Sequence, residues 1–239
     1  MLYTVFEMER RIEQICRSSY PYEWDENHLS YLLMKELRSM FSNRVLRFQS
    51  WSKIVDWKSF KSKGTLEQKF GDIALIVNIQ FSSNEILKGV AFLEAKRSFN
   101  SNNYESLVQS QLVRIYQEAP YSHLLLYNHN IQNLHLKFPD DRTWSSHIWT
   151  TPLNTAIPLS IQLSQSDTWK LHRISLPFTS FLTSRIFWGL DLDFRDSIYK
   201  DVERGIADLF PTTFLGVVNV YYDNQEPLSN EIGDSWEEI

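Results

Sequence analysis

The stretch FGDIALIVNIQFSSNEILKGVAFLEAK, residues 70–96, decides the fold predicted for this chain. Residues 70–79 are rich in β-branched and aliphatic side chains, which favour a β-strand. Residues 81–85, FSSNE, predict a turn, and residues 88–96, KGVAFLEAK, predict a second strand. Two strands joined by so short a turn are expected to pair as an antiparallel hairpin.

The segments on either side extend this hairpin into a larger sheet with helices. The predicted helices are residues 6–16, 26–41 and 104–118, and the further strands are residues 44–57 and 122–128. Polar residues at 57–69 predict a turn or hairpin between two of the strands. The last strand follows a helix and can return parallel to an earlier strand. The predicted class is therefore α/β, with a mixed β-sheet flanked by helices.

The C-terminal half has a weaker pattern. Residues 176–190 and 194–210 predict helices, and residues 213–221 predict a strand. This α+β extension either completes the core or forms a lobe beside it. The expected organisation is a single domain over residues 1–239, with a core at about 22–130, the extension at about 131–222 and an acidic tail at 223–239.

Composition narrows the class of protein. The chain has 239 residues, of which 43% are apolar, and this content is enough for a folded globular domain. A single cysteine excludes an internal disulfide and is typical of a reducing compartment. The N-terminus lacks the pattern of a signal peptide, and no window predicts a membrane span. We therefore expect a cytoplasmic protein with no membrane partner.

Charge is distributed unevenly along the chain, whose net charge is −5. Residues 44–69 hold seven cations against two acids, whereas residues 223–239 hold six acids and no cation. A basic segment of this kind can bind nucleic acid, and it can equally be a solvated surface. The acidic segment is either a solubilising tail, a contact for a partner protein or a shield over the basic groove.

Three ionisable residues lie in the predicted hairpin. Asp72 lies at the start of the first strand, while Glu94 and Lys96 lie near the end of the second. Side chains alternate along a strand, so Glu94 and Lys96 point to the same face and Ala95 points to the other. Charges on a buried sheet face are costly unless they pair or bind a ligand. The plain alternative is an ion pair at a strand end that reaches solvent.

The order of these elements and acids resembles the core of the PD-(D/E)xK nucleases, also called restriction-endonuclease-like. The motif here is Gly71-Asp72, then 21 residues, then Glu94-Ala95-Lys96, followed by a helix and a short apolar strand. The resemblance covers roughly residues 22–130. Gly71 departs from the literal proline that gives the motif its first letter.

The resemblance implies a site and a cofactor. It implies Asp72, Glu94, Lys96 and Gln111 as catalytic residues, with Gln109 as a rival to Gln111. It implies Mg²⁺, with Mn²⁺ able to substitute, bound by Asp72, Glu94, the carbonyl of Ala95 and Glu26. Glu26 alternatively favours the positive end of its own helix. Lys96 would orient a water molecule or stabilise charge on the phosphate.

The implied substrate is nucleic acid, DNA rather than RNA in the first instance. The cations expected to contact it are Lys53, Lys58, Lys61, Lys63 and Arg97. Trp51, Trp57 and Phe60 lie among them and either stack on bases or belong to the core. The resemblance also implies a role in anti-phage defence, restriction or repair, beside a separate helicase or ATPase, and a possible homodimer.

Two other interpretations stay open. The chain could keep a nuclease fold as a non-catalytic nucleic-acid-binding or assembly module. It could also be an α/β protein in which Glu94 and Lys96 form an ordinary ion pair. A second acidic group, Asp191, Asp193 and Asp196, is explained more simply by helix capping.

Overall fold

The computed structural model describes residues 2–47, 52–63, 70–99, 103–104, 107–134, 144–205, 212–222, 225 and 228–239. The helices are α1 (Leu2–Ser19), α2 (Glu26–Phe41), α3 (Gln109–Glu118), α4 (Leu153–Gln162), α5 (Phe178–Ser184) and α6 (Asp196–Arg204), with 3-10 turns at Gln165–Ile174 and Ile186–Trp188. The strands are β1 (Arg44–Arg47), β2 (Ser52–Ser62), β3 (Ile73–Ser82), β4 (Glu85–Arg97), β5 (Ser122–Leu134), β6 (Trp144–Pro152), β7 (Leu176–Pro177), β8 (Phe214–Tyr222) and β9 (Trp236–Glu238).

The strands form a single mixed, open sheet in the order β1-β2-β8-β3-β4-β5-β6-β7, with β9 also paired to β2. The antiparallel β3–β4 hairpin predicted from residues 70–96 is confirmed, with Ile73 opposite Leu93. β5 runs parallel to β4, as predicted for a strand that follows a helix. β8 runs parallel to β3 on its other side. The α/β class with a mixed sheet is therefore confirmed.

Helices cover both faces of the sheet because the side chains that the central strands direct to each face are apolar. Ile73, Leu75 and Val77 pack on the side of α1, α2 and α5. Ala74 and Ile76 point the opposite way, toward α6. On that second side α3 and α4 cover β5 and β6. Strands buried on both faces read as near-continuous apolar runs, which explains the composition of residues 70–96.

Several predicted elements have different bounds in the structure. The helix at 26–41 is confirmed as α2, and the Asp25 side chain caps it by accepting from the N–H groups of Asn27 and His28. The strand at 44–57 is two strands, β1 and β2. The turn predicted at 57–69 is wrong for residues 57–62, because β2 continues to Ser62. Buried Trp57 and Phe60 hold this part in the sheet. Residues 64–69 lie outside the described part.

α1 (Leu2–Ser19) is longer than the predicted helix at 6–16, whereas the predicted helices after α2 are shorter than their patterns. α3 starts at Gln109 rather than at 104, where Tyr104 instead forms a bridge with Ser98. Residues 176–190 contain β7, α5 and a 3-10 turn rather than one helix. Pro177 lies just before α5, Arg185 (φ −125°) separates α5 from the 3-10 turn, and Gly189 ends that turn. The helix predicted at 194–210 is α6, and residues 206–211 lie outside the described part.

The C-terminal half completes the core instead of forming a lobe beside it. β8 lies between β2 and β3, in the middle of the sheet. The described residues 228–239 are not a free tail either. The Asn219 amide donates to the carbonyl of Leu228 at 3.3 Å, and buried Trp236 donates to the carbonyl of Val202 at 3.1 Å. Residues 228–239 therefore pack against the domain, while Asp223 and Glu226 lie outside the description.

Across the described ranges, no helix is both long enough and apolar enough to cross a membrane.

The role of the C-terminal segment can be tested through Trp236. We expect Trp236→Ala to lower the free energy of unfolding by about 3–5 kcal/mol, because it empties a buried site in the core. Glu231→Ala, which removes an exposed acid of the same segment, should change it by less than about 0.5 kcal/mol. Urea denaturation measures both. Equal stability of the two variants would show that the segment is a free tail.

Candidate active site

Asp72 is held by its neighbours on both sides. Its N–H donates to the carbonyl of Leu93 at 3.0 Å, and its Oδ2 accepts from the N–H of Ala95 at 2.7 Å. Its own carbonyl accepts from the N–H groups of Thr213 and Phe214, at 3.0 and 2.9 Å. The backbone of Asp72 is therefore fixed between β4 and β8, and its carboxylate is directed at β4.

Glu94 and Lys96 lie on one face of β4, as the alternation predicts. Lys96 Nζ lies 2.6 Å from Glu94 Oε1, and the two residues are only 4% and 1% exposed. Gln111 of α3 donates from Nε2 to the same oxygen at 2.8 Å. Gln109, the rival glutamine, is exposed at the start of α3. The structure thus brings Gln111 to Glu94, together with Asp72 and Lys96 nearby.

The second oxygen of Glu94 is the unusual feature of this cluster. Glu94 Oε2 is buried, and no hydrogen-bond partner for it exists among the described residues. A buried carboxylate oxygen without a partner costs free energy, since it has lost water and gained nothing in return. An unsatisfied atom of this kind in a cluster of charged groups is typical of a ligand site.

Gly71 keeps the space beside Glu94 Oε2 open. A Cβ at this position would lie 3.2 Å from Glu94 Oε2 and 3.0 Å from the carbonyl oxygen of Leu93. The φ of Gly71 is +103°, which favours glycine and which the proline ring cannot adopt. The departure from the literal proline of the motif therefore has a physical reason, and sequence reasoning missed it.

The crowding of acids shifts the ionisation of Asp72. Burial and the neighbouring Glu94 carboxylate raise the pKa of Asp72 to about 8, although Lys96 and the Ala95 N–H act in the opposite direction. Burial alone would lower the pKa of Lys96, but the carboxylates of Glu94 and Glu26 outweigh it and raise that pKa. The cluster as it stands thus has an excess of negative charge that a cation would offset.

Glu26 lies beside this cluster at the start of α2. Its Oε1 accepts from the N–H of Arg97 at 3.1 Å, so one of its two oxygens is used by the backbone of β4. Burial raises the pKa of Glu26, whereas Lys96 lowers it. Among the residues that the structure describes, no three His, Cys, Asp or Glu side chains are grouped closely enough to hold one metal ion.

The donor set nevertheless fits a hard divalent cation. Mg²⁺ is usually held by one or two carboxylates, with waters or substrate filling its other positions. Asp72 and Glu94 supply two carboxylates on adjacent strands, and the orphaned Glu94 Oε2 provides an oxygen that no described group occupies. A third acidic ligand is not required for this arrangement.

The basic residues expected to contact nucleic acid do not form one surface. Lys61 is opposite Phe214 of β8, which pairs with Ile73, so Lys61 lies two strands, or about 10 Å, from the start of β3. Lys53 lies eight residues earlier on β2, about 26 Å away at the other end of the sheet. It is 3% exposed, with its ammonium 4.0 Å from the centre of the Trp188 ring. This position removes Lys53 from the surface around Asp72.

The other cations differ in what already contacts them. Lys58 is exposed on β2. Lys61 is exposed and lies opposite Glu237 of β9, and the Lys63 ammonium donates to the carbonyl of Asp234 at 2.7 Å. The C-terminal acidic segment therefore lies against the basic end of β2. Arg97 is partly buried beside the cluster at the end of β4.

The structure also bears on the aromatic residues of β2 and on the second acidic group. Trp57 and Phe60 are buried in the core and cannot stack on bases, and Trp51 lies outside the described residues. The acids at 191–196 pair with cations rather than forming a second acidic site or capping α6. The pairs are Asp191 with Arg185, Asp193 with Arg195 and Asp196 with Lys200.

The chain has no significant match among protein-family models, curated proteins or solved structures. Two adjacent carboxylates, an orphaned buried oxygen and a buried ammonium are the groups that can bind a divalent cation and a phosphate together.

The raised pKa of Asp72 gives a pH dependence with a definite sign. In metal-free buffer the folded protein keeps this proton up to about pH 8, whereas the unfolded chain releases it near 3.8. The unfolded state thus binds fewer protons between these values, so stability falls as pH rises. The Asp72→Asn side chain is an amide and does not titrate in this range. The stability of this variant relative to wild type should therefore increase between about pH 4 and pH 8.

Urea denaturation in EDTA at several pH values measures this difference. Adding Mg²⁺ at pH 8 should reduce the stability difference between Asp72→Asn and wild type, since the cation stabilises the ionised carboxylate of the wild type only. Parallel stability curves for the two proteins across the range would contradict the account of Asp72.

Proposed function

We propose that the chain is a metal-dependent nuclease that hydrolyses phosphodiester bonds, built on a restriction-endonuclease-like core. The observation that carries the proposal is the buried Glu94, whose Oε2 lacks a partner in the described part of the chain, beside Asp72 and Lys96. An ion pair made only for stability would be expected to satisfy both oxygens of its carboxylate.

The order of the elements supports the same proposal. The acids follow the sequence of the motif on an antiparallel hairpin, β3 and β4. α3 comes next and carries Gln111 to Glu94, and β5 then returns parallel to β4. This combination of motif and topology is what the resemblance to PD-(D/E)xK nucleases implies.

The proposed cofactor is Mg²⁺, for which Mn²⁺ can substitute. Asp72 and Glu94 would hold it with their carboxylates, with the Ala95 carbonyl as a further ligand and Glu26 as an acid facing it. When bound, it supplies Lewis-acid chemistry, which offsets the charge of the phosphodiester and lowers the pKa of water.

Lys96 acts as a fixed positive charge in this proposal. Its raised pKa keeps the ammonium protonated at neutral pH, so it cannot accept the proton of the attacking water. It can donate hydrogen bonds to that water or to the phosphate as charge develops there. Gln111 and Lys96 both donate to Glu94 Oε1, which orients Glu94 Oε2 toward the space beside Gly71.

The substrate would approach the end of the sheet where β3 begins. Lys58 and Lys61 are the proposed contacts to its phosphates, and Lys63 joins them if its bond to Asp234 opens. Arg97 is a further proposed contact to the nucleic acid. DNA is the first substrate to test and RNA the second. A separate helicase or ATPase partner, a homodimer, a cytoplasmic location and a role in defence, restriction or repair belong to the same proposal.

A cleavage assay tests the proposal directly. Wild-type protein with Mg²⁺ or Mn²⁺ should cut oligonucleotides, and EDTA should stop the reaction. Lys96→Ala and Asp72→Ala should each lower the rate by about 100-fold or more, because each removes a group that stabilises charge or holds the cation. Gel analysis of labelled single- and double-stranded DNA and RNA measures the products.

Lys88→Ala is the matched control for Lys96→Ala. Lys88 is an exposed lysine earlier on β4, with its ammonium 5.4 Å from the centre of the Tyr199 ring. The Lys88→Ala variant should cut at the wild-type rate. Retained cutting by Asp72→Ala would assign the activity to a contaminant or another site.

A non-catalytic binding or assembly module is the second candidate. The observation that favours it is the close pairing of the Lys96 ammonium with Glu94 Oε1 at 2.6 Å, which already uses the positive charge. If the chain is such a module, it should bind nucleic acid without any cleavage. Wild type and Lys96→Ala should then bind nucleic acid equally well.

A further inference from the structure

A cluster of aromatic rings lies at the end of β4, next to the candidate active site. The Tyr20 ring stacks on His129, with centroids 4.5 Å apart and planes 9° from parallel. Trp24 meets both rings edge-on, at 5.8 and 5.9 Å. These rings come from β5 and from the loop between α1 and α2, residues 20–25.

Hydrogen bonds join this loop to the strand that carries Glu94 and Lys96. Trp24 Nε1 donates to the carbonyl of Ser98 at 2.7 Å, and the Arg97 guanidinium donates to the carbonyl of Trp24. The N–H of Arg97 donates to Glu26. Ser98 lies two residues beyond Lys96, or about 7 Å along an extended chain. The Trp24 end of the loop is therefore about two stacked nucleotides from Lys96, at about 3.4 Å each.

The rings differ in exposure in a way that suggests different roles. Trp24 is 5% exposed and holds the loop to β4, whereas Tyr22 is 96% exposed and Tyr20 is 38% exposed. The guanidinium carbon of Arg97 lies 4.5 Å from the centre of the Phe99 ring. This contact holds the planar guanidinium group at the end of β4. Exposed tyrosines beside a stacked arginine are the groups that bind the flat faces of bases.

We propose that Tyr20, Tyr22 and Arg97 form a stacking platform for an unpaired base next to the cleaved phosphate. The preferred substrate is then single-stranded nucleic acid or a frayed strand end. The inference rests on the proposed nuclease function, since it places the scissile phosphate at Lys96. Bases within a duplex are stacked on each other and do not offer their faces to a side chain.

The acids of the loop do not oppose this assignment. Asp25 is used by the first N–H groups of α2, and Glu23 lies 3.4 Å from the His28 ring. Their negative charge disfavours a phosphate at the loop itself. The loop is therefore suited to bind the base of a nucleotide, whereas Lys96 and the carboxylate-bound cation are suited to bind its phosphate.

Binding measured without cleavage tests the platform. The probes are fluorescein-labelled 12-mers in EDTA: single-stranded DNA, single-stranded RNA, a DNA duplex, and a strand with the same backbone made of abasic sites. Fluorescence anisotropy should show tighter binding of the base-bearing strands by wild type. Tyr22→Ala should weaken their binding about 5- to 140-fold, the loss expected for one stacked base. Its binding of the abasic strand should be unchanged.

Three variants control this experiment. Tyr22→Phe keeps the ring and should bind like wild type. Tyr3→Ala removes an exposed tyrosine at the other end of α1, about 27 Å away, and should also bind like wild type. Tyr20→Ala should act like Tyr22→Ala, and thermal unfolding shows whether it still folds, because Tyr20 also packs on His129 and Trp24.

The platform is overturned if wild type binds abasic and base-bearing strands equally, if Tyr22→Ala binds like wild type, or if duplex is preferred. Cleavage by wild type in Mg²⁺ would leave the nuclease function standing in each of these cases. Lys96→Ala should lose cleavage and keep the wild-type preference for base-bearing strands. This result would show that the platform acts in binding independently of the cleavage reaction.

Discussion

The register of the β3–β4 hairpin is the constraint on which the rest of the site depends. Ile73 lies opposite Leu93, and this pairing lets the Ala95 N–H reach Asp72 Oδ2. Side chains alternate, so the same register turns Glu94 and Lys96 toward α3. A slip of one residue would turn them toward α1 and α2 and place apolar residues at the site.

The site is formed at a cost to the stability of the core. Glu94 and Lys96 are almost fully buried, and one Glu94 oxygen has no partner in the described ranges of the chain. Burial and Glu94 together raise the pKa of Asp72, which means that the ionised cluster is unfavourable without a cation. A partly satisfied polar network in an apolar core is destabilising, and such exceptions tend to occur at functional sites.

Local patterns in the sequence predicted the hairpin, α2, and the shared face of Glu94 and Lys96, because each depends on neighbouring residues. Long-range pairing was not predictable. Nothing in residues 213–221 indicates that β8 inserts between β2 and β3, and that pairing buries Trp57 and extends β2 through the expected turn. The burial of Lys53 and the need for Gly71 also depend on distant partners, namely Trp188 and the Glu94 carboxylate.

Calorimetric titration with Mn²⁺ tests the central claim that Asp72 and Glu94 form a divalent-cation site. Wild type should bind about one ion, and Glu94→Gln, which replaces the carboxylate by a neutral amide of the same shape, should weaken binding by about tenfold or more. Glu85→Gln, an exposed position on the same strand, should bind like wild type. Equal Mn²⁺ affinity of Glu94→Gln and wild type, or no binding by wild type, would contradict the account.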